Sequence, residues 1–236
     1  MPPVAENPLF FLDYDGTLAP IVDDPSAAVP HPEIPPLLEL LDDAFPLWIV
    51  TGRDLNQLAP LLSMPLRAIG LHGAQSGVIG EEVNRRMSDE AAEAISALRS
   101  SLPSIEGARV EEKSQAFAVH YRQAENLRDA KERLETWADA MPEMLDVIWG
   151  KKVVELRPRG LTKGTAVTEV VAEHPGRTPV YLGDDVTDED AFEALSEIDR
   201  PAITVKVGDG ETLASYRLGG PSDVATYLQK YVEDLR

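Results

Sequence analysis

The chain has 236 residues, enough for one large domain or two small ones, and its 22 Lys and Arg against 41 Asp and Glu leave a formal net charge of −19. Such acidity repels phosphate backbones and anionic lipid, and no local run of basic residues reverses it, so nucleic acid and membrane surfaces are excluded as partners. The lack of any Cys excludes a disulfide framework, a thiolate nucleophile and Cys-ligated metal, while 43% hydrophobic and 27% charged residues describe ordinary globular material.

Met1 to Asn7 carry no positive cluster and the apolar run Leu9 to Leu12 ends in charge at Asp13, so neither a leader peptide nor a membrane span is expected. The chain reads as cytosolic and monomeric. Leu9-Phe10-Phe11-Leu12 predicts a buried strand, Leu37 to Leu41 a helix entered through the Pro-rich stretch Pro30 to Pro36, and Leu47-Trp48-Ile49-Val50 a second buried strand. Asp54 caps a predicted helix bearing Leu55, Leu58 and Leu62 at helical spacing. From about Glu81 to Pro158 the pattern changes. In Phe117-Ala118-Val119-His120-Tyr121-Arg122 odd positions are large and apolar while even ones carry His and Arg, a sheet with one polar face. Helical patterns around Ala91 to Leu98 and from Leu127 to Met141 flank it. The first pattern then returns, with strands at Val180 to Leu182 and Ile203 to Val207, a helix from Glu189 to Leu195, and a closing helix carrying Val224, Leu228, Tyr231 and Leu235. Strand–helix alternation of this kind predicts a doubly wound, Rossmann-like parallel α/β core of residues 1–80 and 159–236, interrupted by an α+β cap of residues 81–158.

The strongest chemical signal stands where the first strand ends, in Asp13-Tyr14-Asp15-Gly16-Thr17-Leu18. Ligands of open parallel sheets bind beyond the carboxyl ends of strands. Two carboxylates two residues apart can divide their work there if the chain turns between them, one as nucleophile and metal ligand, the other moving protons. Alone, D-x-D-x-T arises by chance in roughly one chain of this size in twenty-five. It has company, however. Thr51-Gly52-Arg53 ends the second strand with a hydroxyl and exposed N–H groups before a helix N-terminus suited to phosphate. Lys163 opens a further helix and offers a cation to a phosphoryl oxygen, and the late strand ends in Gly183-Asp184-Asp185-Val186-Thr187-Asp188-Glu189-Asp190, a carboxylate cluster suited to Mg²⁺. Thr51 or Lys163 singly is more often a cap or a solvated lysine; four elements in order at strand ends are not.

In these four motifs the sequence resembles the haloacid dehalogenase superfamily of phosphotransferases. The resemblance implies that Asp13 attacks phosphorus to form an aspartyl phosphate, and that Asp15 protonates the leaving oxygen and then activates water. It further implies that Thr51 and Lys163 hold the phosphoryl group, and that Mg²⁺ is held by Asp13, the Asp15 carbonyl and Asp184, with Asp185 and Asp188 orienting metal waters and Lys163.

In the middle module, Glu111 and Lys113, His120 and Arg122, and Glu155 and Arg157 fall in pairs on single sides of extended segments. Interleaved acids and bases suit a polyhydroxylated ligand; they equally suit a solvated face of cross-strand ion pairs. Glu111-x-Lys113, His120-Tyr121-Arg122, Glu155-Leu156-Arg157-Pro158, Gly70-Leu71-His72-Gly73-Ala74 and the core motifs together resemble the trehalose-6-phosphate phosphatase family over nearly the whole chain. That resemblance implies a Mg²⁺-dependent phosphatase acting on a small phosphosugar, with Glu111, Lys113, Arg122 and Glu155 on the sugar hydroxyls, His120 at most a further sugar contact, and Gly52 and Arg53 beside the phosphate. Gln75 departs from it, since the family leads one to expect Glu. Other readings are a phosphatase of sucrose 6-phosphate or glucosyl phosphoglycerate, a phosphosugar mutase, or a non-catalytic sugar-phosphate binder, the last disfavoured by a nucleophile with its acid partner. His31, His72 and His174 show no zinc spacing, and Trp48, Trp137 and Trp149 read as core.

Overall fold

The computed structural model describes residues 1–86, 88–113, 116–233 and 235, and of residues 85, 112, 113 and 116 the backbone only. The chain opens with β1 (Pro8–Asp13), α1 (Ile34–Ala44), β2 (Leu47–Val50), α2 (Leu55–Leu58), β3 (Arg67–Gly70), β4 (Gln75–Val78) and β5 (Val83–Arg85). It continues with α3 (Asp89–Ser100), β6 (Arg109–Lys113), β7 (Ala116–His120), α4 (Leu127–Ala138), β8 (Leu145–Gly150) and β9 (Val153–Pro158). It closes with α5 (Lys163–Glu173), β10 (Thr178–Gly183), α6 (Val186–Ser196), β11 (Ile203–Val207), β12 (Tyr216–Leu218) and α7 (Pro221–Glu233). Met1–Asn84 and Thr162–Arg236 form one compact unit and Arg85–Leu161 another.

An apolar run without polar alternation has to be covered on both faces, and β1 is. Phe10 and Leu12 of β1 pack in one layer with Leu37 and Leu41 of α1 and Val224, Leu228 and Tyr231 of α7. Leu9 and Phe11 pack in the other, with Val167 and Val170 of α5 and Phe192 and Leu195 of α6. At about 1.5–3 kcal/mol for each large side chain taken from water, the strand is held from both sides. The sheet order is β12-β11-β10-β1-β2-β3-β4-β5, parallel from β12 through β3, with β4 antiparallel to β3. From β1 the chain builds outward to β3; from β10, on the other side of β1, it builds outward to β12. The direction of building reverses between β1 and β10, and the crevice such a reversal opens at the strand carboxyl ends is where this architecture takes ligands.

Several elements depart from expectation. The helix after Asp54 is four residues long, and Leu62 lies in the turn beyond it although still buried in the same layer. Leu235 falls past the end of α7 and is exposed. The short strands β3, β4, β5 and β12 carry no apolar run from which to read them; β3, for example, is Arg-Ala-Ile-Gly.

In the second unit the strands run β6-β7-β9-β8, all antiparallel. Phe117 and Val119 of β7, Val154 and Leu156 of β9 and Leu145 of β8 share a core with Ala91 and Leu98 of α3 and Ala130, Leu134 and Trp137 of α4. Alternation places Ala118, His120, Glu155 and Arg157 on the opposite face. Trp149, expected in the core, is exposed on edge strand β8.

Gly164, second in α5, sets how closely α5 and α6 pack, because a Cβ there would stand 2.3 Å from the Asp190 carbonyl oxygen. Gly164→Ala gains about 1 kcal/mol in helix propensity and loses about 1–3 kcal/mol or more to overpacking. A net fall in melting temperature of several degrees is expected in thermal unfolding followed by circular dichroism. An unchanged or higher value would mean that α5 and α6 part freely.

Candidate active site

Adjacent strands β1 and β10 run parallel with Leu12 opposite Leu182, so Asp13 and Asp184 leave the sheet at the same edge. Lys163, the first residue of α5, reaches in between acids: its Nζ donates to Asp13 Oδ1 at 2.8 Å and to Asp188 Oδ1 at 2.7 Å. All three side chains are buried, Lys163 at 2% and Asp188 at 0% exposure. An ammonium at the positive end of a helix is misplaced by the helix dipole, and the two carboxylates reverse that field. Asp188 is itself fully engaged. Its Oδ2 accepts from the Asp185 N–H at 2.9 Å, closing the capping box of α6, and its Oδ1 also accepts from the Tyr181 hydroxyl at 2.7 Å. Gly183 is required beside it, since a Cβ there would lie 2.2 Å from Asp188 Cγ.

Asp13, Asp184 and Asp188 each place a carboxylate oxygen within 4.8 Å of the others. One ammonium among three carboxylates leaves two negative charges uncompensated. Burial and then the charge of Asp188 hold the Asp13 carboxyl well above its ordinary value, with Lys163 offsetting only part. Burial, followed by Asp188 and Asp185, pushes Asp184 up to about 6. Burial draws the Lys163 ammonium down, but Asp13 and Asp188 outweigh it and keep the group charged. A divalent cation fits this donor set, which is hard, all-oxygen and short of positive charge. Because Asp188 is spent on Lys163, Tyr181 and the helix cap, Asp13 and Asp184 are the carboxylates with capacity left for an ion.

Gly16 turns the chain beneath Asp184. Its φ of +78° suits glycine, and a Cβ would lie 2.0 Å from Asp184 Oδ2. The turn sends Asp15 elsewhere than Asp13. Arg53 grips it with a two-pronged fork, Nε to Oδ2 and Nη2 to Oδ1, both at 2.6 Å, and donates from Nη1 to the Pro25 carbonyl at 2.8 Å. Arg53, expected beside a phosphate, is therefore paired with Asp15. The neighbouring anion site is also thinner than expected, because four-residue α2 has too few aligned peptides to present a strong positive end. What remains there is Thr51, buried at 1%, whose Oγ1 accepts from the Arg53 N–H at 3.1 Å and keeps its own proton to donate.

Behind Thr51 lies a strained turn. Leu71 and His72 both hold left-handed backbone, φ 48° and 55°, ahead of Gly73 at 112°. Such conformations cost about 1–3 kcal/mol each and persist where surroundings over-determine them. Here the His72 N–H donates to the Thr51 carbonyl at 3.1 Å and the Leu71 N–H to the Arg53 carbonyl at 3.0 Å. The His72 ring lies on Gly52, where a Cβ would meet Cε1 at 2.4 Å, and a Cβ on Gly73 would meet the carbonyl of Thr162, the cap of Lys163's helix, at 2.6 Å. The turn thus braces Thr51 and Lys163 from one place.

Gln75 is wholly buried beside these elements; its Oε1 accepts from the Leu55 N–H and its Nε2 donates to Asp54 Oδ2, each at 3.1 Å. With Asp54 in place the position needs a donor, which an amide has and a carboxylate lacks. Two further residues went unread in the sequence. Tyr181 sits within an apolar strand, and Lys206 is a cation inside β11, where every residue is buried. A lysine in such a strand was itself the signal.

In the second unit Glu111 and Glu155 both stand opposite Ala118, one on each side of it. His120 Nε2 lies 2.7 Å from Glu111 Oε2, and Arg157 is buried. Arg122, expected to share a strand face with His120, lies in the turn after β7 and is exposed, since the strand ends at His120. The Lys113 side chain lies outside the described residues. Among the described residues no helix is long and apolar enough to cross a membrane.

A profile of the trehalose-phosphatase family matches residues 11–222. The chain is 37% identical over 242 residues to the trehalose-6-phosphate phosphatase of Escherichia coli K12, covering 96% of this chain and 90% of that one. It is 33% identical over 233 residues to a trehalose-6-phosphate phosphatase-related protein of Thermoplasma acidophilum, covering 96% and 97%. Among solved structures it is similar to the C-terminal domain of the Candida albicans trehalose-6-phosphate phosphatase, with a TM-score of 0.79, 28% identity, and coverage of 97% of this chain and 93% of that one.

Gln75→Glu sets a carboxylate against Asp54 in a buried place and removes the amide donor that Gln75 gives it. A loss of about 1–3 kcal/mol is expected at neutral pH, from an unpaired buried polar group and like-charge repulsion. The loss shrinks as the new carboxyl is protonated, so denaturant unfolding at pH 7 and near pH 5 should give a larger difference from the parent at pH 7. Equal stability at both would remove Gln75 from this account.

Proposed function

The chain belongs to the trehalose-phosphatase family, and from that premise we propose that it hydrolyses trehalose 6-phosphate to trehalose and inorganic phosphate with Asp13 as nucleophile. The observation that carries the reading is the buried Asp13–Lys163–Asp188 chain beside Asp184, at the carboxyl edge of β1 and β10. Lys163 takes Asp13 Oδ1, which fixes the carboxylate's rotation and leaves Oδ2 to form the bond to phosphorus. As that bond forms, the ester bond to the sugar oxygen breaks and Asp15 supplies the proton the leaving oxygen needs. In the second step Asp15 takes a proton from water, the water oxygen bonds to phosphorus, and the acyl phosphate bond breaks to return Asp13 and release phosphate.

Asp15 can do this because it is held apart from Asp13, at the more open end of the turn. The Arg53 fork holds both of its carboxylate oxygens in one orientation between the two steps. The proton-donating step requires that the fork loosen, and an arriving phosphoryl oxygen gives the guanidinium another partner. Thr51 donates its hydroxyl to the phosphoryl group. The donor set of Asp13, Asp184 and the Asp15 carbonyl suits Mg²⁺, which when bound offsets the repulsion between an anionic nucleophile and an anionic ester. On the second unit we assign Glu111, His120 and Glu155 to the sugar hydroxyls, with Ala118 as the small residue between the two carboxylates. This unit sets the choice of phosphosugar.

Asp13→Asn removes the nucleophile's charge at almost constant volume, and phosphate release from trehalose 6-phosphate should fall below about a thousandth of the parent with the melting curve preserved. Activity within tenfold of the parent would refute the assignment. A panel of sucrose 6-phosphate, glucosyl phosphoglycerate and trehalose 6-phosphate, with and without chelator, tests the substrate. Equal or better turnover of another ester would displace trehalose, and sugar consumption without matching phosphate release would indicate a mutase. Glu155→Ala should lower kcat/KM for trehalose 6-phosphate about 10- to 100-fold while sparing a small aryl phosphate, as expected for one lost charge-assisted bond. Parallel loss on both esters counts against a sugar-reading role.

A further inference from the structure

Lys206 is a charged side chain, 5% exposed, the fourth of the five residues of strand β11, whose other residues are all buried and of which only Thr204 is otherwise polar. It stands directly opposite Gly183, the residue before Asp184. Its Nζ donates to the backbone carbonyl of Asp184 at 2.5 Å and lies 3.6 Å from Glu189 Oε1. Glu189, four residues into α6, uses its other oxygen to accept from the Leu213 N–H at 2.8 Å and the Thr212 hydroxyl at 3.2 Å. One chain of contacts therefore runs from the loop before β12, through α6 and β11, to the peptide of Asp184.

Stability alone gives no reason for this arrangement. A buried ion pair roughly breaks even against apolar side chains of the same volume, and a strand packed on both faces would accept Met. The target of the ammonium is informative. It holds the carbonyl of Asp184 and leaves the carboxylate, which sits over Gly16, unbonded by any described residue. A cation placed on the carboxylate would compete with a metal; a cation on the carbonyl fixes the direction of the side chain without occupying it. Glu189 balances the ammonium's charge, so the strut adds little net repulsion toward a bound ion.

We infer that Lys206, seated by Glu189, is a positioning residue that orients Asp184 for divalent-metal binding, an inference that rests on the reading of Asp13 and Asp184 as the metal carboxylates. Residues that orient a ligand without touching the ion typically change metal affinity 10- to 100-fold when removed. Removal should therefore weaken the metal while leaving chemistry at saturating metal close to intact.

Mn²⁺ alone is titrated by calorimetry into the metal-free full-length protein and into Lys206→Met, Glu189→Gln and Asp184→Asn, each with a thermal melt. Lys206→Met and Glu189→Gln should bind Mn²⁺ about 10- to 100-fold more weakly, melt within a few degrees of the parent, and regain kcat to within about threefold when metal is raised. Mn²⁺ affinity within twofold of the parent in both, with Asp184→Asn strongly weakened, leaves the metal reading standing and overturns the strut. Parental affinity in Asp184→Asn overturns the metal reading and this inference with it. If Lys206→Met does not fold, Glu189→Gln decides, because its side chain keeps the same shape and loses only charge.

Discussion

Everything at the candidate site is arranged around one costly group, the Lys163 ammonium, enclosed at the end of a helix whose dipole opposes it. It is tolerable only with carboxylates on it, and two are supplied from different parts of the chain, Asp13 from 150 residues earlier and Asp188 from 25 later. Both sit at the carboxyl edge of the sheet because β1 and β10 are neighbours. That neighbourhood is a property of topology, since the chain must leave β1, build one wing, traverse the second unit and return on β1's other flank. The glycines at 16, 183 and 164 then let elements approach closely enough for the bonds to form, each standing where a methyl group would strike a carboxylate or a carbonyl.

The same constraint separates Asp13 from Asp15. They are two residues apart in sequence, yet Asp13 is buried with its charge shared by an ammonium, while Asp15 lies half-open in the fork of a guanidinium. On the proposed reading, environments that differ this much let one short segment carry two kinds of carboxylate chemistry. The intervening turn, tightened by the Gly16 N–H donating to the Ala19 carbonyl at 2.7 Å, does the separating.

The sequence made the sheet's centre plain because continuous apolar strands such as Leu9 to Leu12 and Leu47 to Val50 have few other solutions. It made the chemical residues plain for a related reason: charged side chains that end or directly follow such strands contribute nothing to an apolar core. It was silent on partners. Nothing in Thr51-Gly52-Arg53 says that Arg53 turns back onto Asp15, because that bond depends on where Gly16 sends the chain. Arg122 was misplaced because alternation continues past the end of β7 in the sequence while the backbone turns. Lys206 was legible and unread, a cation buried in a strand whose every residue is buried, on the face it shares with Thr204.

The net charge of −19 sits awkwardly with an anionic substrate until the cations at the site are followed to their partners. Lys163 serves Asp13 and Asp188, Arg53 serves Asp15, and Lys206 serves Glu189 and the Asp184 carbonyl. Each of these three positive side chains is already committed to the protein's own oxygens. A phosphate approaching Asp13 would meet a field with an excess of acid, and no rearrangement of these three cations changes the sum. A divalent ion does change it, and on the proposed reading the excess is what draws that ion in. On that reading, the acidity that led the sequence to disfavour nucleic acid would, at this edge of the sheet, be the means by which a metal is gathered and a phosphate ester made tolerable.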